Sequence, residues 1–259
     1  MGIFDAAKSA VMGNKAYRTQ VDANKLAGEG KPEEAKAKYQ EALRLYGEAE
    51  RLGGLAPNIN RAYALLLLRE GRFDDAKALM QRMAKNKAMS KDDWFQLRLQ
   101  YAICHWCAGE LDEAMETMGR AAAYKMNGSD YSTMGMFWVD KARQTGELDE
   151  ALKFNLQALD YDDEDAATLD NLGQLYELMA ERDPDRAGEY RAKALDYYEK
   201  AHAQKPRQIT TLYYLARMYH QDGDDAKARK LLSVKDSLYF SRICPVQKEE
   251  MDALAAEIG

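Results

Sequence analysis

A chain of 259 residues is long enough for one large domain or two ordinary ones, and 46% hydrophobic residues supply a buried core, which excludes global disorder. The net charge is −6, and the 37 Lys and Arg are spread rather than grouped, which argues against a nucleic-acid binder with its basic face. Three cysteines make no disulfide framework, residues 1–20 lack the apolar core of a signal peptide, and the longest apolar run, Ala62 to Leu68, is far short of a bilayer span. A cytoplasmic protein with no membrane insertion is expected. Strand patterns with hairpin turns are missing, so an all-α chain is expected too.

Residues 1–13 read as a short N-terminal capping helix with Ile3, Phe4, Ala7, Ala10 and Val11 on one face. A turn signature then recurs. Gly109-Glu-Leu-Asp-Glu-Ala114 is repeated letter for letter at Gly146-Glu-Leu-Asp-Glu-Ala151. Looser copies begin at Gly30, Gly71 and Gly223. Glycine can end one helix in a left-handed conformation, and the acids that follow suit the first turn of the next. The alanine one turn further in lets a neighbouring helix come close.

The turn alanines Ala35, Ala76, Ala114, Ala151, Ala194 and Ala228 are 41, 38, 37, 43 and 34 residues apart. Six helix-turn-helix units are therefore expected over residues 14–235, at about 16–56, 57–94, 95–131, 132–165, 166–208 and 209–235. The extra lengths have places. Tyr46 to Leu55 lengthens a helix before Gly53-Gly54. Asn86 to Asp93 is a polar connection with Ser90 as N-cap. Asn127-Gly128-Ser129-Asp130 is a turn, and Pro184 interrupts a helix. Ser233 to Arg242 prolongs the last helix into a C-terminal extension, residues 236–259, where Pro245 breaks it and Val246 to Ile258 makes a cap with Met251, Leu254, Ala255 and Ile258 inward.

The pattern resembles the tetratricopeptide-repeat family. Leu172-Gly173-Gln-Leu-Tyr176 matches its Leu-Gly-x-x-Tyr, and Ala194, Tyr198, Ala201 and Pro206 match its second-helix consensus. Leu212, Leu215-Ala216, Tyr219, Gly223 and Ala228 repeat it, and the first two units fit through Ala23, Leu26, Tyr39, Ala64, Leu67 and Met80. The resemblance implies a right-handed α-α superhelix of bacterial, stand-alone type. Large residues such as Tyr176 and Tyr198 are its knobs, and small ones such as Gly173 and Ala194 its holes.

Chemistry is sparse. Cys104-His-Trp-Cys107 lacks the further ligands zinc needs and lies late in a helix, where the dipole does not activate a thiol. The acidic run Asp160 to Asp165 lacks the glycine and glutamate of a calcium loop. The histidines are scattered and no phosphate-binding loop appears, so neither enzyme activity nor a cofactor is expected.

The resemblance implies that first helices line a concave ligand face. That face would present Gln20 and Asn24 from unit one and Arg61, Leu65, Leu68 and Arg69 from unit two. Leu99, Ile103 and Trp106 follow from unit three, and Met136, Asp140 and Arg143 from unit four. Asp170, Gln174 and Glu177 come from unit five, and Tyr213, Arg217 and His220 from unit six. The family's carboxylate clamp is rejected: Asn24 matches, but Gln20, Ala62, Gln96 and Gln100 stand at the other four places. The apolar residues of units two and three, beside Arg61 and Arg69, suit an amphipathic or acidic-flanked segment, unless they pack on each other. The expected function is a non-enzymatic scaffold that binds a protein or peptide. The alternative is a peptide- or ligand-responsive regulator acting through a partner, and homodimerisation stays open.

Overall fold

The glycine of each turn signature sets the architecture. Gly30, Gly71, Gly109, Gly146 and Gly223 have φ between 76° and 88°, the left-handed region that a side chain disfavours. Six residues or fewer past each signature's start, Ala35, Ala76, Ala114, Ala151 and Ala228 are fully buried, as is Ala194. In the computed structural model of the protein, residues 3–86, 89–122 and 126–259 are described, with the side chains of residues 5–86, 89–120 and 126–259. They form thirteen α-helices and no strand.

The chain divides into two compact units, Met1–Ala108 with Ser237–Ile243, and Gly109–Asp236 with Cys244–Gly259. Unit one contains α1 (Ile3–Gly28), α2 (Pro32–Gly53), α3 (Pro57–Arg69), α4 (Phe73–Ala84) and α5 (Lys91–Cys107). Unit two contains α6 (Leu111–Ala122), α7 (Gly128–Thr145), α8 (Leu148–Tyr161), α9 (Ala166–Arg182), α10 (Ala187–Gln204), α11 (Ile209–Gln221), α12 (Asp225–Leu232) and α13 (Lys248–Ile258). Helices α1 and α2, α3 and α4, α7 and α8, α9 and α10, and α11 and α12 pair as hairpins, and first helices lie against one another in α1, α3 and α5 and again in α7, α9 and α11.

Two ends differ from the sequence expectation. Residues 3–13 form no helix of their own but are the first turns of the 26-residue α1. Gly13 does not break it: a Cβ there would come within 2.6 Å of Leu55, so the glycine is a contact point. The face turned to α2 is a stripe of small and polar residues, Ser9, Gly13, Ala16, Gln20 and Ala23, all buried. Ser9 Oγ reaches the carbonyls of Ala49 and Gly54 at 2.7 and 2.5 Å. Ala7, Ala10 and Val11 are therefore turned outward, Val11 with 72% of its surface exposed. The side chains of Ile3 and Phe4 lie outside the described residues.

At the other end, Ser233 to Arg242 does not prolong α12. The helix stops at Leu232, Ser233 Oγ donates back to Lys230 O at 2.7 Å, and a single 3-10 turn follows at Lys235–Ser237. Beyond that turn Leu238 is buried, and Tyr239 and Ile243 pack against the core of unit one.

Ser90 caps a helix as expected, whereas residues 128–130, expected as a turn, are already the first turn of α7. Ser90 accepts from Asp93 N at 3.1 Å, and Asn127 and Asp130 form a reciprocal capping box. Met251, Leu254 and Ile258 face inward from α13.

In unit two, Gly173 of α9 meets Tyr198 of α10 so closely that a Cβ would lie 2.6 Å from its ring. Gly173→Ala is expected to cost about 1–3 kcal/mol in urea unfolding through overpacking. Gly119→Ala, where a Cβ meets nothing within 4 Å, should instead stabilise by up to about 1 kcal/mol.

Candidate partner-binding faces

In unit two, helical spacing puts Asp140 and Arg143 of α7, Asp170, Gln174 and Glu177 of α9, and Thr211, Tyr214 and Arg217 of α11 on faces that meet. Their side chains form one polar tier. Arg143 donates to Asp140 at 3.0 Å, to Gln174 Oε1 at 2.5 Å and to Tyr214 Oη at 3.2 Å. Gln174 Nε2 donates to Asp170 Oδ2 at 2.8 Å, and Thr211 Oγ1 to Asp170 Oδ1 at 2.6 Å. Glu177 accepts from Tyr198 at 2.6 Å and from Arg217 at 2.9 and 3.0 Å. Both guanidiniums also lie over the Tyr214 ring, at 5.9 and 4.9 Å from its centroid.

Burial divides the tier. Asp170, Gln174 and Glu177 are buried, whereas the Arg143 and Arg217 side chains keep 35% and 32% of their surface exposed. The acids and amides thus hold the two cations from behind. Burial pushes the Asp170 carboxyl up to about 6, against the opposing pull of the Thr211 and Gln174 donors. The chain's own C-terminal segment borders this tier. Val246 packs in the cluster of Tyr198, Tyr214 and Leu215, and the Cys244 thiol is pushed up to about 11, chiefly by burial, with the Asp170 charge adding to it.

Seven of the residues placed on the ligand face from sequence, Asp140, Arg143, Asp170, Gln174, Glu177, Tyr213 and Arg217, are thereby brought together; Tyr213 is half-buried, with Arg217 5.8 Å from its ring centroid. His220 is tied elsewhere, to Asp225 at 2.6 Å. Tyr198, Thr211 and Tyr214 were not anticipated. Thr211, one turn before Tyr214, is fully buried, which no local feature of the sequence marks.

Unit one treats its share differently. Leu68 is fully buried in the core, so it is not on a ligand face, and Ile103 packs against that core. Gln20 is also inside, accepting from Tyr46 Oη at 2.7 Å. Leu65, Leu99 and Trp106 are half-buried. Arg61 pairs with Asp93 at 2.9 Å, and Arg69 donates to Asn24 at 3.0 Å and lies over Tyr39. Near the end of α5, burial pushes the Cys107 thiol up to about 12, with Cys104 adding to the shift, so the thiolate is suppressed. Among the described residues no three His, Cys, Asp or Glu are grouped to hold a metal ion, and no helix is long and apolar enough to cross a membrane.

Asp170 yields a signed pH dependence. Its raised carboxyl binds a proton more tightly when folded, so its contribution to stability is present below about pH 4, is lost as pH rises to about 6, and is flat above. Asp170→Asn is expected to remove this slope. Urea unfolding of both proteins between pH 4 and 7 checks it.

No family model matches the sequence, and no curated protein matches it. Solved structures do. A chain of the APC/C hetero-tetramer Cut9-Hcn1 superposes with a TM-score of 0.60 at 18% identity, covering 98% of this chain and 48% of that one. A tetratricopeptide repeat protein from Parabacteroides merdae gives 0.53 at 11% identity, over 95% of this chain and 86% of that one. A thermophilic TPR protein of Thermus thermophilus gives 0.51 at 17%, over 63% and 80%. On its helix hairpins, its turn glycines and these likenesses, the chain has the tetratricopeptide-repeat fold.

Proposed function

We infer that the chain is a non-enzymatic scaffold that holds a segment of another protein against the faces made by its first helices. The fold favours this, because stacked hairpins leave such faces for partners. The observation that carries the reading is the pair Arg143 and Arg217. Each is fixed by buried acceptors, Gln174 and Glu177, and by the Tyr214 ring, yet each stays about a third exposed. A cation held still before binding loses little side-chain entropy on binding, and arginine is enriched where interfaces concentrate their energy. The carbonyl and carboxylate oxygens of an acidic-flanked segment are its natural acceptors. Leu65, Leu99 and Trp106 supply half-buried apolar surface on unit one, a candidate contact of its own. No disulfide joins Cys104, Cys107 and Cys244, which favours a reducing, cytoplasmic setting.

Affinity capture from native cells with the tagged full chain, read by quantitative mass spectrometry, tests this. Arg143→Gln with Tyr213→Ala is expected to lower recovery of a specific partner by about tenfold or more. Trp106→Ala is expected to weaken it as well. Thermal midpoints should stay within a few degrees of the parent. Equal capture by all three proteins defeats the reading, and a collapse of the Trp106→Ala midpoint assigns that ring to packing instead.

A further inference from the structure

Residues Ser237–Ile243 behave as a ligand that is part of the chain. They belong to unit one, although the residues on either side of them belong to unit two. The Tyr239 ring lies 4.8 Å, centroid to centroid, from the ring of Tyr39, a helix residue 200 positions earlier in the chain. The Tyr239 hydroxyl donates to the Glu70 carboxylate. Arg242 N donates to Arg69 O at 2.8 Å, and the Arg242 stem covers Gly71, where a Cβ would come within 3.0 Å of it. Ile243 packs on the core of the same unit. This non-helical stretch thus docks through one aromatic anchor, one main-chain bond three residues on, and one aliphatic residue after that. This is how proteins take up extended peptides, with main-chain bonds for affinity and side-chain pockets for specificity.

The receiving surface is held in shape by its own bonds. Glu70 is bonded by Gln40 Nε2 at 2.7 Å on its other oxygen. Tyr39 Oη donates to Asn24 Oδ1 at 2.8 Å, and Arg69 reaches the same oxygen at 3.0 Å. Removing Tyr239 therefore leaves Glu70, Tyr39 and Arg69 each with a partner, and uncovers one ring face with a carboxylate beside it that accepts a phenol.

We propose that the Tyr39–Arg69–Glu70 surface is a binding site for extended protein segments of the form Tyr-x-x-x-aliphatic, with Ser237–Ile243 as its built-in competitor. The site stands on unit one alone and does not depend on Arg143 or Arg217. Because the competitor is tethered, its effective concentration is of millimolar order, so a free segment of similar affinity binds the intact chain weakly.

The probe is a fluorescein-labelled peptide with the sequence of residues 236–243, titrated by anisotropy into full-length chains. Tyr239→Ala with Ile243→Ala empties the site and is expected to bind the peptide about tenfold or more tightly than the parent does. A peptide with alanine in place of its tyrosine should not bind, and adding Glu70→Gln to the emptied chain should weaken binding. Equal affinity of parent and emptied chain, or no binding to an emptied chain that keeps its helical spectrum and cooperative melt, overturns the proposal. If the emptied chain does not fold, the parent decides. Millimolar unlabelled peptide should speed hydrogen exchange at the Arg242 amide, and no acceleration overturns the proposal.

Discussion

Close approach of paired helices is the constraint on which the rest of the molecule depends. It requires a residue with little or no side chain opposite a large one. Gly173 receives the Tyr198 ring, Gly13 receives Leu55, and the turn alanines are buried to the last atom. Interiors packed at this density tolerate no extra methyl group without displacement. Between hairpins a second device recurs. Gln20 donates to Ala62 O at 3.3 Å, Gln100 to Arg61 O at 3.0 Å, Asn171 to Ser132 O at 2.9 Å and Gln208 to Ala166 O at 3.2 Å. Each amide spans to a carbonyl 39 to 42 residues away, on the neighbouring first helix, and uses the oxygen's second lone pair. Packing thus sets the distance between helices, and these bonds set their register.

The polar tier of unit two departs from that economy. Apolar side chains would fill the space around Asp170 with less desolvation, and buried ionisable groups are weak sources of stability. What the tier provides is fixed geometry. Three helices contribute to a chain of donors and acceptors in which Asp170 orients Gln174, Gln174 orients Arg143, and Arg143 meets Tyr214. Networks of this kind are strong when complete and costly when broken.

Much of the fold was legible because its signals are local. Gly109 and Gly146 carry identical hexapeptides and have φ of 78° and 88°. Ser90 and Asn127 cap helices through their own side chains. The failures have a common cause, which is that the deciding contact lies far along the chain. Ser9, Gly13, Ala16 and Ala23 are nearly silent in hydrophobic periodicity, so the exposed Val11 looked like the packing residue. The run Ala62 to Leu68 is apolar nearly all round, and its register cannot separate buried Leu68 from half-buried Leu65. Tyr239 resembled a helix residue until a surface formed by α2 and the end of α3 was there to receive it. At the candidate site, Arg143 and Arg217 were placed by repeat alignment. Tyr198 and Thr211 were not, because nothing local marks which buried hydroxyls face a carboxylate.

The excursion of Ser237–Ile243 into unit one has a consequence for how the protein is made. A ribosome delivers the first 108 residues early, and domains ordinarily fold in the order in which they emerge. Here the earlier unit lacks its final piece until residues 237–243, on the far side of most of the later unit, have been translated. During that interval the Tyr39 ring and the core beside it lack the cover that Tyr239 and Ile243 provide. Completion of the older half is thereby a report that the younger half has been synthesised.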